Sequence, residues 1–260
     1  MPRISSSPRD ATGQVDSETE PEPSIIVKDV TKTFKLRHTH SFKEAFVGFI
    51  RRKTLSTMFS ALAGVSIEIN EGESVALLGY NGSGKSTLLK LISGVLLPDR
   101  GRILTRGRLA GLIEVGAGFH PDLTGRDNVY LNAAILGMTR KEIDERFDDI
   151  VAFSEIGGFI DTEVKHYSSG MFLRLAFSVA IHTELDILLV DEILAVGDAP
   201  FREKCQRKIK ELIERGKTMV VVSHDLPMVS ELCERGVVLR QGKVVFDGPI
   251  SDAITALSEG

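Results

Sequence analysis

Cysteine is scarce in this sequence. Among 260 residues there are two, Cys205 and Cys233, in neither a C-x-x-C pair nor a metal-ligand spacing. A disulfide framework and a zinc site are therefore not expected, and both thiols read as small buried hydrophobes in a reducing compartment. Basic excess is lacking too. The net charge is -4, which gives nucleic acid no electrostatic footprint. No apolar run approaches the ~20 residues needed to cross a bilayer, so any membrane role is expected to be peripheral. The opening stretch, MPRISSSPRDATGQVDSETEPEPS, has no apolar core of a signal peptide. Residues 1–23 bury too little to offset their ordering entropy and read as a disordered tail. Internal repeats and coiled-coil heptads are also missing.

What remains is an ordinary globular balance, 42% hydrophobic and 26% charged, enough for a sizeable core. Ile25, Ile26, Val27 and Val30 suggest a first strand. Val65, Ile67 and Ile69 alternate like a half-buried strand. Val75 to Leu78 is a short apolar run, of the kind a strand covered on both faces shows. A helix is expected from Gly84, with Leu88, Leu91 and Ile92 on one face, ending near Gly94. The stretch from Gly116 to Glu184 reads as mostly helical. Ile187 to Val190 and Met219 to Val222 are further buried strands. Between them Pro200 opens a helix with Phe201, Cys205, Ile209 and Leu212 at helical spacing, closed by Gly216. Val237 to Val245, with Gln241-Gly242 in its middle, reads as a hairpin. Buried strands alternating with helices predict an α/β fold around a largely parallel sheet.

Residues 79–87 read GYNGSGKST. They fit G-x-x-x-x-G-K-[ST] and fall between a predicted strand and a predicted helix, the context that pattern requires. Gly79, Gly82 and Gly84 let the backbone turn tightly and approach a phosphate. The N–H groups of Tyr80, Asn81, Ser83 and Thr87 lie in this loop and helix start, where backbone donors face an anion. Lys85 would reach the β- and γ-phosphates, and the Ser86 hydroxyl would ligate Mg²⁺. An ordinary glycine-rich turn would not need strand, loop and helix to agree.

Residues 186–192 read DILLVDE. The C-terminal edge of a parallel strand faces the crevice where ligands bind. Asp191 there is a candidate for holding Mg²⁺, and Glu192 for activating the attacking water. A solvated acidic strand end is the plain alternative, and the phosphate loop upstream weighs against it. His224 ends a similar strand in VVVSHD, at the same predicted edge. It is a candidate for bonding the γ-phosphate, although a lone histidine is more often structural.

A narrower class comes from HYSSGMFLRLAFSVAI at 166–181. It resembles the ABC signature LSGGQ and its following helix, with Tyr167-Ser168-Ser169-Gly170-Met171 in the motif positions. Only Ser168 and Gly170 match, the two that in the family present a hydroxyl and a backbone N–H to the γ-phosphate. Arg174 matches the usual downstream arginine. The order of motifs fits, and the resemblance spans Ile25 to Gly248. Together with EVGAGFHPDLTGRDNV at 114–129 and DEILAVGD at 191–198, the chain resembles the ATPases of bacterial polysaccharide exporters of the O-antigen, teichoic acid and cell-wall galactan types. By this resemblance Glu114 takes the Q-loop position, near Mg²⁺, with Val115 one step away. Asp198 keeps the D-loop acid. Phe34 matches the aromatic that stacks on adenine, with His38, His40 and Phe42 as competitors and a core phenylalanine as the plain reading.

The resemblance implies an ABC-type P-loop NTPase: a mixed, mainly parallel sheet core over 24–115 and 186–250, a helical subdomain over 116–185 and a short last helix over 251–260. It implies ATP and Mg²⁺ as ligands and a homodimer that shares two nucleotide sites. It implies an integral-membrane permease as partner, with no role for nucleic acid, and a place on the cytoplasmic face of the inner membrane. The alternatives are an ATPase serving a lipid or drug exporter, a non-transport ABC ATPase, and a non-hydrolysing scaffold. Two further expectations concern segments outside the ATP chemistry. In SFKEAFVGFIRRK, residues 41–53, Phe42, Phe46, Phe49 and Ile50 line one face of a helix and Lys43, Arg51, Arg52 and Lys53 give it a basic edge. That face packs on its own domain or docks on the membrane surface or permease. After Gly248 only PISDAITALSEG follows, so no direct binding of polymer ends is expected.

Overall fold

The computed structural model describes residues 22–37, 56–112, 116, 118–191 and 198–259. Glu114, Glu192 and the 41–53 segment lie outside the described residues, as do His38 and His40.

Strands β1 (Pro23–Arg37), β2 (Ser56–Asn70) and β4 (Arg100–Thr105) form an antiparallel sheet in the order β2-β1-β4. A second sheet joins β3 (Ser74–Leu78), β5 (Leu109–Gly111), β6 (Ile187–Val190), β7 (Thr218–Val222), β8 (Arg235–Arg240) and β9 (Lys243–Pro249), in the order β5-β6-β7-β3-β8-β9. Its pairings are parallel except between β8 and β9. That last pair is a hairpin closed by Gln241 and Gly242, both at positive φ (48° and 76°), the geometry of a two-residue turn that follows strand twist.

Every residue of β3, β6 and β7 is buried, because this sheet is covered on both faces. Alternate residues serve alternate faces. Val75, Leu77, Leu189, Val220 and Val222 pack with Ile25, Val27, Val65 and Ile67 of the antiparallel sheet and with Leu88, Leu91 and Ile92 of α1 (Lys85–Ile92). Ala76, Leu78, Leu188, Val190 and Val221 pack on the other side. There they meet Phe177 of α4 (Ser169–His182), Phe201 and Ile209 of α5 (Ala199–Glu214), Val229 of α6 (Leu226–Leu232) and Ala253 of α7 (Ile250–Ser258). Each large side chain so buried contributes ~1.5–3 kcal/mol of transfer free energy. The two cysteines sit in this second cluster, and burial pushes both thiols up to about 12, which makes them inert at neutral pH.

Helices α2 (Gly125–Ile135), α3 (Arg140–Ser154) and α4 share a third cluster built on Val129, Ile143, Phe147, Ile150, Leu175 and Val179. Their starts are set by side chains. Thr124 accepts from the Asp127 N–H, Thr139 and Glu142 form a reciprocal capping box, and Ser168 accepts from the Met171 N–H. Strands β4 and β5 were not singled out from the sequence, and β1 and β2 extend well beyond the residues that alternate.

Candidate nucleotide-binding site

The loop after β3 turns where a side chain could not. Gly79 has φ +148°, and a Cβ there would stand 2.3 Å from the Leu239 carbonyl oxygen; Gly84 has φ +109°, and a Cβ there would stand 2.6 Å from that of Ala61. The chain then enters α1 with no side-chain cap and no acid in the first turn. The first N–H groups of a helix have no acceptor within the helix itself, and the helix dipole favours an anion there. Lys85 is buried, and its ammonium donates to the carbonyls of Gly79 (2.6 Å) and Tyr80 (3.1 Å). The Tyr80 hydroxyl donates to the Leu257 carbonyl of α7 at 3.1 Å. A cleft of about 160 Å³ opens here, lined by Asn81, Gly82, Ser83, Gly84, Lys85, Ser86 and Thr87 with Phe59 and Ala61 across from them.

The strand order places the acid and the histidine at the same edge. β6, β7 and β3 are neighbours in register, Val190 beside Val221 and Leu77 beside Val222. Asp191, Ser223-His224 and the phosphate loop therefore leave the sheet side by side at its carboxyl end, where open α/β sheets bind ligands. Asp191 is half-buried and His224 exposed, and both stand outside the cleft's own lining.

The signature stretch is placed apart from the cleft. Ser168 is the N-cap of α4, with Oγ accepting from the Met171 N–H at 3.2 Å. Ser169 and Gly170 begin the helix, and Ser168 and Ser169 are exposed. The Tyr167 hydroxyl donates to the Phe159 carbonyl at 2.8 Å, and burial raises its pKa. The arrangement is a second helix N-terminus, open to solvent and free to meet phosphate from outside this chain. Asp198 caps α5 by accepting from the Phe201 N–H at 3.4 Å and pairs with Arg174 at 2.7 Å.

Phe34 does not line the cleft. It is half-buried, paired across the strands with Phe59. Phe59, 44% exposed, is the aromatic at the cleft wall and was not singled out from the sequence. Its only signal was position, an aromatic two residues before the buried Ala61. Asn128 and Glu155, in predicted helices, also escaped notice, since polar residues in helices usually face water.

A glycine-bound loop between a buried parallel strand and an uncapped helix, with Lys85 inside it and an acid on the neighbouring strand, defines a P-loop nucleotide-binding protein. The "ABC transporter" family model matches residues 62–195, and the chain belongs to that family of ATPases. It is 46% identical over 227 residues to the ABC transporter protein AbcA of Aeromonas salmonicida, covering 87% of this chain and 73% of that one. It is 45% identical over 223 residues to the O-antigen export system ATP-binding protein RfbB of Klebsiella pneumoniae, covering 82% and 89%. Among solved structures, a dimeric ATP-binding cassette in a post-hydrolysis state with ADP and Pi superposes with a TM-score of 0.69 at 26% identity, over 87% of this chain and 98% of that one. Some curated relatives are longer proteins, of which this chain spans about half.

Proposed function

We propose that this chain is the ATP-hydrolysing subunit of an exporter that moves a lipid-linked polysaccharide, and that it works as a homodimer beside an integral-membrane permease on the cytoplasmic face of the inner membrane. The observation that carries the reading is the phosphate loop sharing one sheet edge with Asp191 and His224. The polymer class rests on the likeness to the O-antigen export protein. Among the described residues no helix is long and apolar enough to cross a membrane; in this reading the permease is a separate subunit. The core is residues 24–115 and 186–250, with 116–185 as the helical subdomain.

The loop N–H groups and the Lys85 ammonium hold the phosphates by directed charge, which is how a site with little covalent chemistry accelerates phosphoryl transfer. Ser86 and Asp191 are hard oxygen donors that fit Mg²⁺, an ion that keeps water and phosphate ligands rather than a full protein cage. Bound there, Mg²⁺ would neutralise charge on the β- and γ-phosphates; Glu114 is the third candidate for its shell. Glu192 takes the proton of the attacking water, and His224 donates to the γ-phosphate. Ser168, Ser169 and Gly170 of one copy close on the nucleotide held by the other, with Asp198 at the same interface. Phe59, paired across the strands with Phe34, is the aromatic wall for adenine in this reading. Closure and reopening drive the permease, because ATP binds the closed pair more tightly than the open one.

The test is Glu192→Gln. It should retain ATP binding, lose turnover by ~10²–10⁴-fold, form a long-lived dimer in ATP, and abolish surface polysaccharide in the host. Near-normal turnover would remove Glu192 as the base. Intact surface polysaccharide beside a dead ATPase would favour a lipid or drug exporter instead.

A further inference from the structure

Glu155 sits at the C-cap of α3 with φ 60° and ψ 23°. For a residue with a side chain this is a disfavoured conformation, and glycine or asparagine is the usual occupant of such a helix end. Among the described residues only Asp29 and Gln241 share a positive φ without being glycine. A glutamate kept where glycine would be less strained directs attention to its carboxylate.

That carboxylate joins three elements. Oε2 accepts from Arg174 Nη1 at 2.8 Å and Oε1 from Lys204 Nζ at 3.0 Å. Arg174 lies on α4, six residues after Ser168; Lys204 lies on α5, six residues after Asp198. The second guanidinium nitrogen of Arg174 reaches Asp198 at 2.7 Å, so both forks of the arginine are occupied. Lys204 also donates to the Phe153 carbonyl at 3.0 Å. Beneath the charges lies an aromatic floor. Arg174 stacks over Phe201 at 4.7 Å and Lys204 over Phe153 at 4.6 Å, and Phe153 meets Phe201 edge-on at 5.8 Å. The Lys204 hydrogen bond, with Arg174 behind it, holds the Glu155 carboxyl below the usual carboxylate range. The arginine is only 19% exposed and the Glu155 carboxylate 47%, so packing on Phe201 fixes the arginine end of the pair.

We propose that Glu155 is a positioning residue for ATP hydrolysis, a clamp that holds the signature helix α4 and the Asp198 start of α5 as one rigid piece. This rests on the reading above, in which Ser168 and Gly170 meet the nucleotide of the other copy and the segment before Asp198 carries Glu192. With the clamp in place, closure delivers the signature turn and Asp198 in a fixed relation. Without it each copy still binds ATP through its own loop, but the two parts arrive out of register. A small displacement is enough, because rate depends steeply on the placing of reacting groups.

The test uses the full chain with Glu155→Gln, Glu155→Gly, Arg174→Gln, the double variant Glu155→Gln/Arg174→Gln, and Glu192→Gln as reference. A fluorescent ATP analogue measures affinity and the number of competent sites, and phosphate release gives kcat per site. Glu155→Gly removes the clamp while relaxing the backbone, so its deficit cannot be assigned to strain. The expected result is unchanged affinity and KM, with kcat per site down ~5-fold or more in both Glu155 variants. The double variant should be no worse than the worse single one, as for residues acting through one contact. Wild-type kcat per site in Glu155→Gly, or a loss confined to KM, overturns the clamp. Additive losses in the double variant overturn it too. If Glu192→Gln itself keeps turnover, the underlying reading has failed instead, and the two failures are told apart by that reference.

Discussion

Replacing Asn128 by Asp changes almost no volume and tests how the turn before α2 is held. The Asn128 side chain is fully buried at 0% exposure. Its Oδ1 accepts from the His120 N–H at 2.6 Å, and its Nδ2 donates to the carbonyls of His120 (3.0 Å), Leu123 (3.2 Å) and Thr124 (2.9 Å). A carboxylate keeps the first bond and turns the others into acceptor facing acceptor. Each buried partner left unsatisfied costs ~1–3 kcal/mol. The amide's two hydrogens are shared among three carbonyls, so two such losses are the fair count, and the buried charge adds to them. The expected total is about 4 kcal/mol at neutral pH, against a whole-domain stability of ~5–15 kcal/mol. For a chain of this size that is a fall in Tm of roughly 8–16 °C. The pH dependence carries the diagnosis. Burial and the facing carbonyls raise the new carboxyl's pKa above its unfolded value of about 3.9. A group with a raised folded pKa stabilises below its unfolded pKa and loses that contribution as pH rises. Calorimetry should therefore show a larger penalty at pH 8 than at pH 5, whereas Asn128→Ala should show no such difference. An Asn128→Asp protein melting within ~2 °C of the native chain at pH 8, or a penalty that does not shrink at pH 5, would refute the argument.

Two further predictions separate folding from binding. Gly84→Ala combines a strained φ with a clash against a backbone oxygen, so it should destabilise the chain without nucleotide by about 3 kcal/mol. Gly82→Ala has φ +78° but nothing within 4 Å, so it should cost only about 1 kcal/mol in stability while weakening ATP binding from inside the cleft. Equal melting temperatures for the two variants would contradict this. Phe59→Ala should weaken ATP affinity about 5-fold, consistent with ~1 kcal/mol of base stacking. Phe34→Ala acts through its strand partner and should cost less; the reverse order in a titration would return the adenine wall to Phe34.

The family and the turn geometry of the glycine-rich loop were legible in sequence because they depend on contiguous residues. GYNGSGKST, DILLVDE and the apolar runs of β3, β6 and β7 each carry their own local reason, whether left-handed turns, a strand-end acid or burial on both faces. The Gln241-Gly242 hairpin is local in the same sense. What the sequence left open are relations between distant segments. Phe59 and Phe34 are 25 positions apart, and nothing in either neighbourhood says which of the pair lines the cleft; the packing of β2, at Ala61, against the Gly84 turn decides it. Asn128 looks like any polar residue in a helix until the turn at His120–Thr124 folds over it. Glu155, Arg174, Asp198 and Lys204 come from three helices, and only the packing of α3, α4 and α5 around Phe153 and Phe201 gathers their charges. Short-range physics fixes the glycine-rich loop between β3 and α1; which side chains stand around it depends on contacts across the sheet and between helices, where sequence spacing carries no information.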